Sequence, residues 1–404
     1  MAYPALKKFY YEDEALWKNE YTKRFNAPFT EHFDFQIRQY NYAQEFPAFL
    51  CYTREITALI DNIHALNFDL QYVVRCLPEM AIKQYLQVCM IEEIQASNEI
   101  EGVRSSRKEI KMAWDYVQSN NTAAGVRFQS VVSKYQKLLA PVRMGFMTSV
   151  DIRKFYDEFI YDEVNLENPN NLPDGEIFRA GQVEITGGTQ KVLHMGAFPE
   201  DKLIQDMDKA LNLLNDTQIV SAVRIAVFHY LFGYLHPFYD GNGRTVRFIT
   251  SYFLAKYLSP LIALNISLII KHDRGSYYKM FKETNAYINC GDLGLFVTEF
   301  LRIIEQAAKQ TVEYLKKQSR LYEAYLEKIA QLPEEDKLTL SLYDVLLQAA
   351  LFSADGVTMQ DLAKVLKKSR NTVAKRLEKF PSEYLLIDKS SRQYQYKLNI
   401  SIWK

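Results

Sequence analysis

Glycine and proline are scarce in this 404-residue chain, at 15 and 12 residues, and strand-like alternation is rare. What remains is a series of long periodic segments, so the expected fold is mainly α. Cysteine is scarce too. The four residues Cys51, Cys76, Cys89 and Cys290 show no CxxC spacing, which excludes a disulfide framework and a zinc ribbon and leaves buried free thiols as the expectation. There is no excess charge of either sign, with 49 basic and 49 acidic residues, so no global field points to nucleic acid or membrane. Long hydrophobic runs are missing as well. The opening MAYPALKKFYYEDEALWK has no signal-peptide core, and LSPLIALNISLII from Leu258 is too short and polar to span a bilayer. A soluble, cytoplasmic protein without a membrane partner is expected. Neither HExxH nor GxxxxGK(S/T) occurs, which removes the zinc-hydrolase and P-loop readings.

Against these absences stand length and a 48% hydrophobic content, enough for a sizeable core and two or three domains. The pattern divides into a helical N-terminal region over 1–135, a helical core over 136–328 and a small domain over 338–404. QLPEEDK, 331–337, reads as a linker. Residues 70–101 read as helices, with Ile82, Tyr85, Leu86 and Cys89 on one face.

The chemistry concentrates in HPFYDGNGRTVR, His236 to Arg247. Before it, Ile219 to Leu235 is apolar almost all round and reads as a buried helix. After it the pattern is helical again, so the glycine turn falls at a helix N-terminus, where free N–H groups favour an anion. His236 is the candidate general base, since imidazole titrates near neutrality. Asp240 is a hard oxygen ligand suited to Mg²⁺ on a nucleotide. Gly241 and Gly243 let backbone approach phosphate, and Arg244 and Arg247, three apart, share one helix face with guanidinium forks that fit phosphate oxygens. Phe238 is expected to pack under the loop. A lone DGNG is an ordinary turn and a lone histidine an ordinary core residue; their combination carries the reading. These residue types alone do not choose between phosphoryl and nucleotidyl transfer, because both are in-line attacks at phosphorus.

This stretch resembles the signature of the Fic family, HPFx(D/E)GNGRxxR, at every fixed position, with Val246 where a common form has glycine. The resemblance covers roughly residues 80–305. It implies a Fic-type helical core and transfer of AMP from ATP, with Mg²⁺, to a Ser, Thr or Tyr hydroxyl of a protein substrate. By that likeness His236 deprotonates the hydroxyl and Asp240 holds Mg²⁺. Asn242, Gly241 and Gly243 form the anion hole, and Arg244 and Arg247 bind the outer phosphates. The related Doc kinases carry lysine in place of the second loop glycine, so Gly243 favours nucleotidyl transfer.

Three neighbouring segments extend the resemblance. Ile177 to Leu193 alternates about Gly187-Gly188, a β-hairpin signal; it is either a plain surface hairpin or the family's flap, with Thr186, Gly187, Gly188 and Thr189 at its tip, pairing with an extended target segment. In RGSYYKMFKETN, Tyr277, Tyr278 and Asn285 are either core residues or the border of the adenosine pocket. SNEIEG places Ser97 and Glu101 four apart at a helix end, with Gly102 a natural C′ residue. It matches the family's inhibitory motif (S/T)xxxE(G/N), within a helix over about 81–102. Glu101 would then pair with Arg247 and compete with the γ-phosphate, and the same glutamate serves a reverse, AMP-removing reaction in some relatives.

The last segment reads as helix, turn, helix and two strands, a winged helix-turn-helix. From Thr358 onward it holds eleven Lys and Arg against four acids, with Arg370, Asn371, Lys375, Arg376 and Lys379 along the second helix. Such a domain serves either DNA contact, here through 358–404, or protein contact, including a homodimer. A second reading of the whole follows: a DNA-associated regulator whose Fic core senses nucleotide.

Overall fold

A computed structural model of the chain describes residues 3–119, 126–140, 142–186, 192–332, 336–389 and 393–403. Among these the protein is mainly α, as its composition requires. The chain folds as two compact units, one of 1–65 with 91–307 and one of 66–90 with 308–404.

The first unit is built round two neighbouring helices, Ser221–Leu235 and Asn242–Tyr257. Ser221–Leu235 is apolar on every side and is accordingly buried along nearly its whole length. Packing it is Glu200–Asn215, an amphipathic helix with Leu203, Met207, Ala210, Leu211 and Leu214 buried; against that helix lies Ser149–Phe159, which opens on a Thr148–Asp151 capping box. The connection between the two central helices is the segment 236–241, so the signature lies between two largely buried helices.

A strand pair absent from the sequence expectation lies near the N-terminus. Thr30–Ile37 and Phe46–Cys51 pair antiparallel, with Phe33, Phe35 and Ile37 buried and their neighbours exposed. The alternation TEHFDFQI was the available signal. This pair is held to the rest by Leu293 N–H donating to Phe49 C=O at 2.9 Å. The mid-chain hairpin is shorter than its alternation suggests. Among the described residues of this stretch Glu184–Thr186 and Val192–Met195 are strands, because the preceding stretch bends round the buried Arg179 instead of pairing. Of the proposed flap tip, Thr186 ends the first strand; Gly187, Gly188 and Thr189 lie outside the described residues.

In the second unit the long Gly294–Ala330 helix ends where the linker was expected, and Asp336 caps the next helix, Lys337–Phe352, through Leu338 N–H at 2.9 Å. There follow a short strand Val357–Thr358, helices Met359–Val365 and Arg370–Leu377, and strands Leu385–Asp388 and Gln395–Leu398, the last pairing with both others. Thr358 and Ser369 are the N-caps, each accepting from a backbone N–H. Cysteines 51, 89 and 290 are buried and make no disulfide, but Cys76 is exposed; it is the final residue of the Arg54–Cys76 helix.

Candidate active site

Ser221–Leu235 stops because His236 takes a left-handed conformation, φ +52°. A non-glycine residue held there costs free energy that surrounding contacts must offset. Arg179 supplies them. Its side chain is 0% exposed and its guanidinium donates to four carbonyls: His236 at 2.9 Å, Gly181 at 2.6 Å, Ala197 at 2.8 Å and Leu235 at 3.4 Å. The next residues turn over Phe238, which is fully buried and stacked on Tyr156 with ring centroids 3.8 Å apart, while the Tyr156 hydroxyl donates to Asp240 C=O at 3.2 Å. Phe238 is the floor of the loop, as expected.

Asn242 closes that loop from the far side. Its amide oxygen accepts from Phe238 N–H at 2.9 Å and its amide nitrogen donates to Phe238 C=O at 2.7 Å. The side chain is thereby used up. With its side chain bonded to Phe238, what Asn242 can offer an anion is its backbone N–H. Gly241, φ +80°, is the N-cap, where a Cβ would be strained. No side chain caps this helix end, and the first ladder bond is Thr245 N–H to Gly241 C=O at 2.9 Å. The N–H groups of Asn242, Gly243 and Arg244 therefore precede the ladder, at the positive end of the helix dipole.

The two arginines differ. Arg244 is 2% exposed; one of its nitrogens lies 3.1 Å from Asp240 Oδ1 and 3.5 Å from Glu167 Oε2, while Nε and Nη1 have no hydrogen-bond partner among the described residues. Two unpaired donors on a buried guanidinium are costly unless a ligand takes them. Arg247 is 0% exposed and fully engaged: Nε donates to Ser97 Oγ at 3.0 Å, Nη2 to Ser97 C=O at 2.8 Å and Nη1 to Glu101 Oε1 at 2.7 Å. A Cβ on Gly243 would run into that Glu101 carboxylate and lie 2.8 Å from Arg247 Nη1. Glycine here leaves room for an anion in front of Arg247, and the glutamate occupies it.

Ser97 and Glu101 reach this point because Glu79–Ile100 ends in a Schellman turn. Gly102 has φ +77°, its N–H donates to Glu99 C=O at 3.1 Å, and Val103 N–H donates to Asn98 C=O at 3.0 Å. The tyrosine pair splits. Tyr277 is buried, its hydroxyl 2.8 Å from His229 Nε2; Tyr278 is largely exposed, its hydroxyl donating to Ile100 C=O at 3.3 Å. Both feel the charges of Glu101 and Arg247. Asn285 is buried and its amide oxygen accepts from Tyr230 at 2.5 Å, an interior bond.

Two histidines of the first unit, His229 and His236, are neutral in the fold. Burial first, then the nearby His194 and Arg179, push His236 down to about 3, so at neutral pH its ring is unprotonated, the form a base requires. His229, also at about 3 through burial, links Thr250 Oγ1 and Tyr277 at 2.8 Å each. Sequence reading passed over His229, Arg179 and Glu167. HY in the middle of an apolar run was a signal for the first; the other two had none.

Asp240 Oδ1 takes Gly241 N–H and Arg244, which leaves the second carboxylate oxygen. Among the described residues no group of three or more His, Cys, Asp or Glu could hold a metal unaided. One carboxylate suits Mg²⁺ only where phosphates supply further ligands. No helix among the described residues is long and apolar enough to cross a membrane.

Comparison with known proteins points one way. The model of the Fic/DOC family matches residues 146–254. The protein adenylyltransferase Fic of Nematostella vectensis is 22% identical over 267 residues, covering 63% of this chain and 55% of that protein. That of Drosophila melanogaster is 29% identical over 142 residues, covering 35% and 25%. The chain thus spans about half the length of the first relative and about a quarter of the second. A solved Fic family protein from Desulfovibrio desulfuricans G20 is similar with a TM-score of 0.50 at 20% identity, covering 86% of this chain and 96% of that one; at such identity the likeness concerns the fold alone.

Proposed function

We propose, from the premise that this chain belongs to the Fic/DOC family through residues 146–254, that it is a protein adenylyltransferase held in check by its own Glu101. It would transfer AMP from ATP to a Ser, Thr or Tyr hydroxyl of a protein and release pyrophosphate. The observation that carries this reading is Arg244, buried beside an uncapped helix N-terminus with two guanidinium nitrogens unpaired. Such a site suits a polyphosphate.

In the reaction the acceptor oxygen forms a bond to the α-phosphorus as the bond to pyrophosphate breaks, and the hydroxyl proton passes to neutral His236. Arg179 holds that histidine's backbone, and the N–H groups of 242–244 meet charge developing on phosphate oxygens. Asp240 is the residue that would hold Mg²⁺, which supplies charge neutralisation on the phosphates when bound. Glu101 on Arg247 takes the place of the outer phosphate. ATP would then bind in a pose poor for attack.

The test compares wild type, Glu101→Gly, His236→Ala and the double variant with labelled ATP and Mg²⁺, scoring AMP on the protein itself and on added proteins. Glu101→Gly is expected to label strongly above wild type, and His236→Ala to lose about a hundredfold or more in either background. Equal labelling of wild type and Glu101→Gly would sink the inhibition; undiminished labelling in His236→Ala would sink the base. Release of label from modified protein in the same assay reads the reverse reaction.

A second role attaches to residues 338–404, read as a winged helix-turn-helix. Arg370, Asn371, Lys375 and Lys379 are exposed on or just past one helix, whereas Arg376 pairs with Asp336. An exposed cationic row favours phosphate contact over a buried dimer face.

A further inference from the structure

Two helices meet along the inhibitory contact in a regular ladder. Glu93, Ser97 and Glu101 recur every four residues on and just past Glu79–Ile100; Ser251, Arg247 and Gly243 recur at the same spacing, in reverse, on Asn242–Tyr257. Glu93 meets Ser251 at 3.4 Å and Ser97 meets Arg247 at 3.0 Å, while Glu101, facing Gly243, reaches back to Arg247 at 2.7 Å. The deepest rung is unusual. Glu93 is 0% exposed, and no cation stands within ion-pair distance of it among the described residues.

Its carboxylate is instead held by neutral donors. Ser267 N–H lies 2.8 Å from Oε2 and Ser267 Oγ 2.5 Å from Oε1, while Ser251 makes its shorter bond, 3.0 Å, to Ala263 C=O. The groups facing Glu93 are Ser251 and Arg247 from Asn242–Tyr257, Ser267 from Ile266–His272, and the buried phenol of Tyr135 from Gln129–Leu139. Only Arg247 is positive. A buried carboxylate without a contact ion pair is expensive, so a guanidinium one helical turn away is what makes its charge tolerable.

We propose that Glu93 is a positioning residue for Arg247: it is the second counter-charge of that guanidinium, and its charge sets how strongly Arg247 attracts whatever anion lies in front of it, Glu101 or a phosphate. This rests on the nucleotide reading above. Two carboxylates share one cation, so with Glu93 charged the front anion is held less tightly, and with Glu93 neutral it is held more tightly. Burial, opposed by the Ser267 bonds and Arg247, pushes Glu93 up to about 7. The grip of Arg247 therefore weakens as pH rises through neutrality.

Binding, rather than transfer, tests this. A non-hydrolysable ATP analogue with Mg²⁺ is titrated calorimetrically at pH 6 and pH 8 into Glu101→Gly, Glu101→Gly/Glu93→Gln and Glu101→Gly/Ser267→Ala. Taking ratios between variants at each pH cancels the ligand's own titration. Glu101→Gly is expected to lose on the order of tenfold in affinity between pH 6 and 8 relative to the Glu93→Gln variant, the scale of one charge about a turn away at protein dielectric. The Gln variant keeps the tighter value at both. Ser267→Ala, which removes a donor to the charged form, should move the transition to higher pH, and this arm serves if Glu93→Gln does not fold. The same pH dependence with and without Glu93, or an unmoved transition in Ser267→Ala, overturns the proposal. No binding in Glu101→Gly at either pH refutes the nucleotide reading itself, a different outcome from pH-independent binding.

Discussion

Four backbone carbonyls converge on Arg179, two of them those of His236 and the adjoining Leu235. Replacing Arg179 by methionine removes the guanidinium donors from the carbonyls of His236, Gly181 and Ala197, while Leu235 C=O keeps the Ala197 N–H. Arg179→Met is expected to cost about 2–4 kcal/mol of stability and to cut AMP transfer further than the loss of folded protein explains; urea denaturation beside a transfer assay separates the two. Histidine supplies the second prediction at this scale. His194, His229 and His236 are all held below their ordinary value, chiefly by burial, the last two at about 3. The unfolded chain protonates them near pH 6.5 while the fold does not, so stability falls as pH drops from about 6.5 towards 3, by up to about 1.4 kcal/mol per unit for each. Glu93, raised to about 7, acts in the opposite sense between its unfolded value and 7. His229→Gln should remove one histidine's share of the acid slope; an unchanged slope in denaturation curves between pH 4 and 6.5 would show that His229 is not held neutral.

Among the elements, the end of the Glu79–Ile100 helix matters most. Glu101 lies just past its last turn, where the Gly102 Schellman bonds hold the backbone and Arg247 holds the side chain. A side chain at 102 would meet nothing within 4 Å, so the whole penalty is the positive φ. Gly102→Ala is expected to cost about 1 kcal/mol. It should loosen Glu101 and give self-labelling between wild type and Glu101→Gly, with faster amide exchange over 97–103. Labelling equal to wild type would mean the cap does not hold Glu101 in place. This helix end was legible beforehand because its spacing and glycine are local. The Thr30–Ile37 strand carried an equally local signal in TEHFDFQI and went unread beside so much helix. The stretch before Glu184 was misread as strand for a different reason: its apolar alternation is real, but a buried arginine claims the backbone there.

Over the whole molecule the charges cancel, so any DNA affinity must be local, and residues 358–404 are the basic segment proposed for it. If the second role holds, the full chain should shift duplex DNA at low salt, with affinity falling steeply as salt rises, and Arg370→Ala with Lys375→Ala should weaken it by about two units of salt slope or fewer. A shift unaffected by those changes would place the contact elsewhere or make it adventitious.

The sequence by itself determined what depends on neighbours along the chain. The scarcity of glycine and proline gave the helical class, twelve consecutive residues gave base, turn and arginines, and six more gave a helix end bearing Ser97 and Glu101. All of these are matters of spacing within a turn or two of backbone. Only the tertiary structure decided which groups meet across long separations. It set Glu101 on Arg247, 146 residues away, and left Arg244 half unpaired. It spent the Asn242 side chain on the loop, and put Arg179 behind His236 and Glu93 beneath Arg247. Those outcomes depend on burial, because only away from water do an unpaired donor, a lone carboxylate or a shared cation acquire energies large enough to govern what binds.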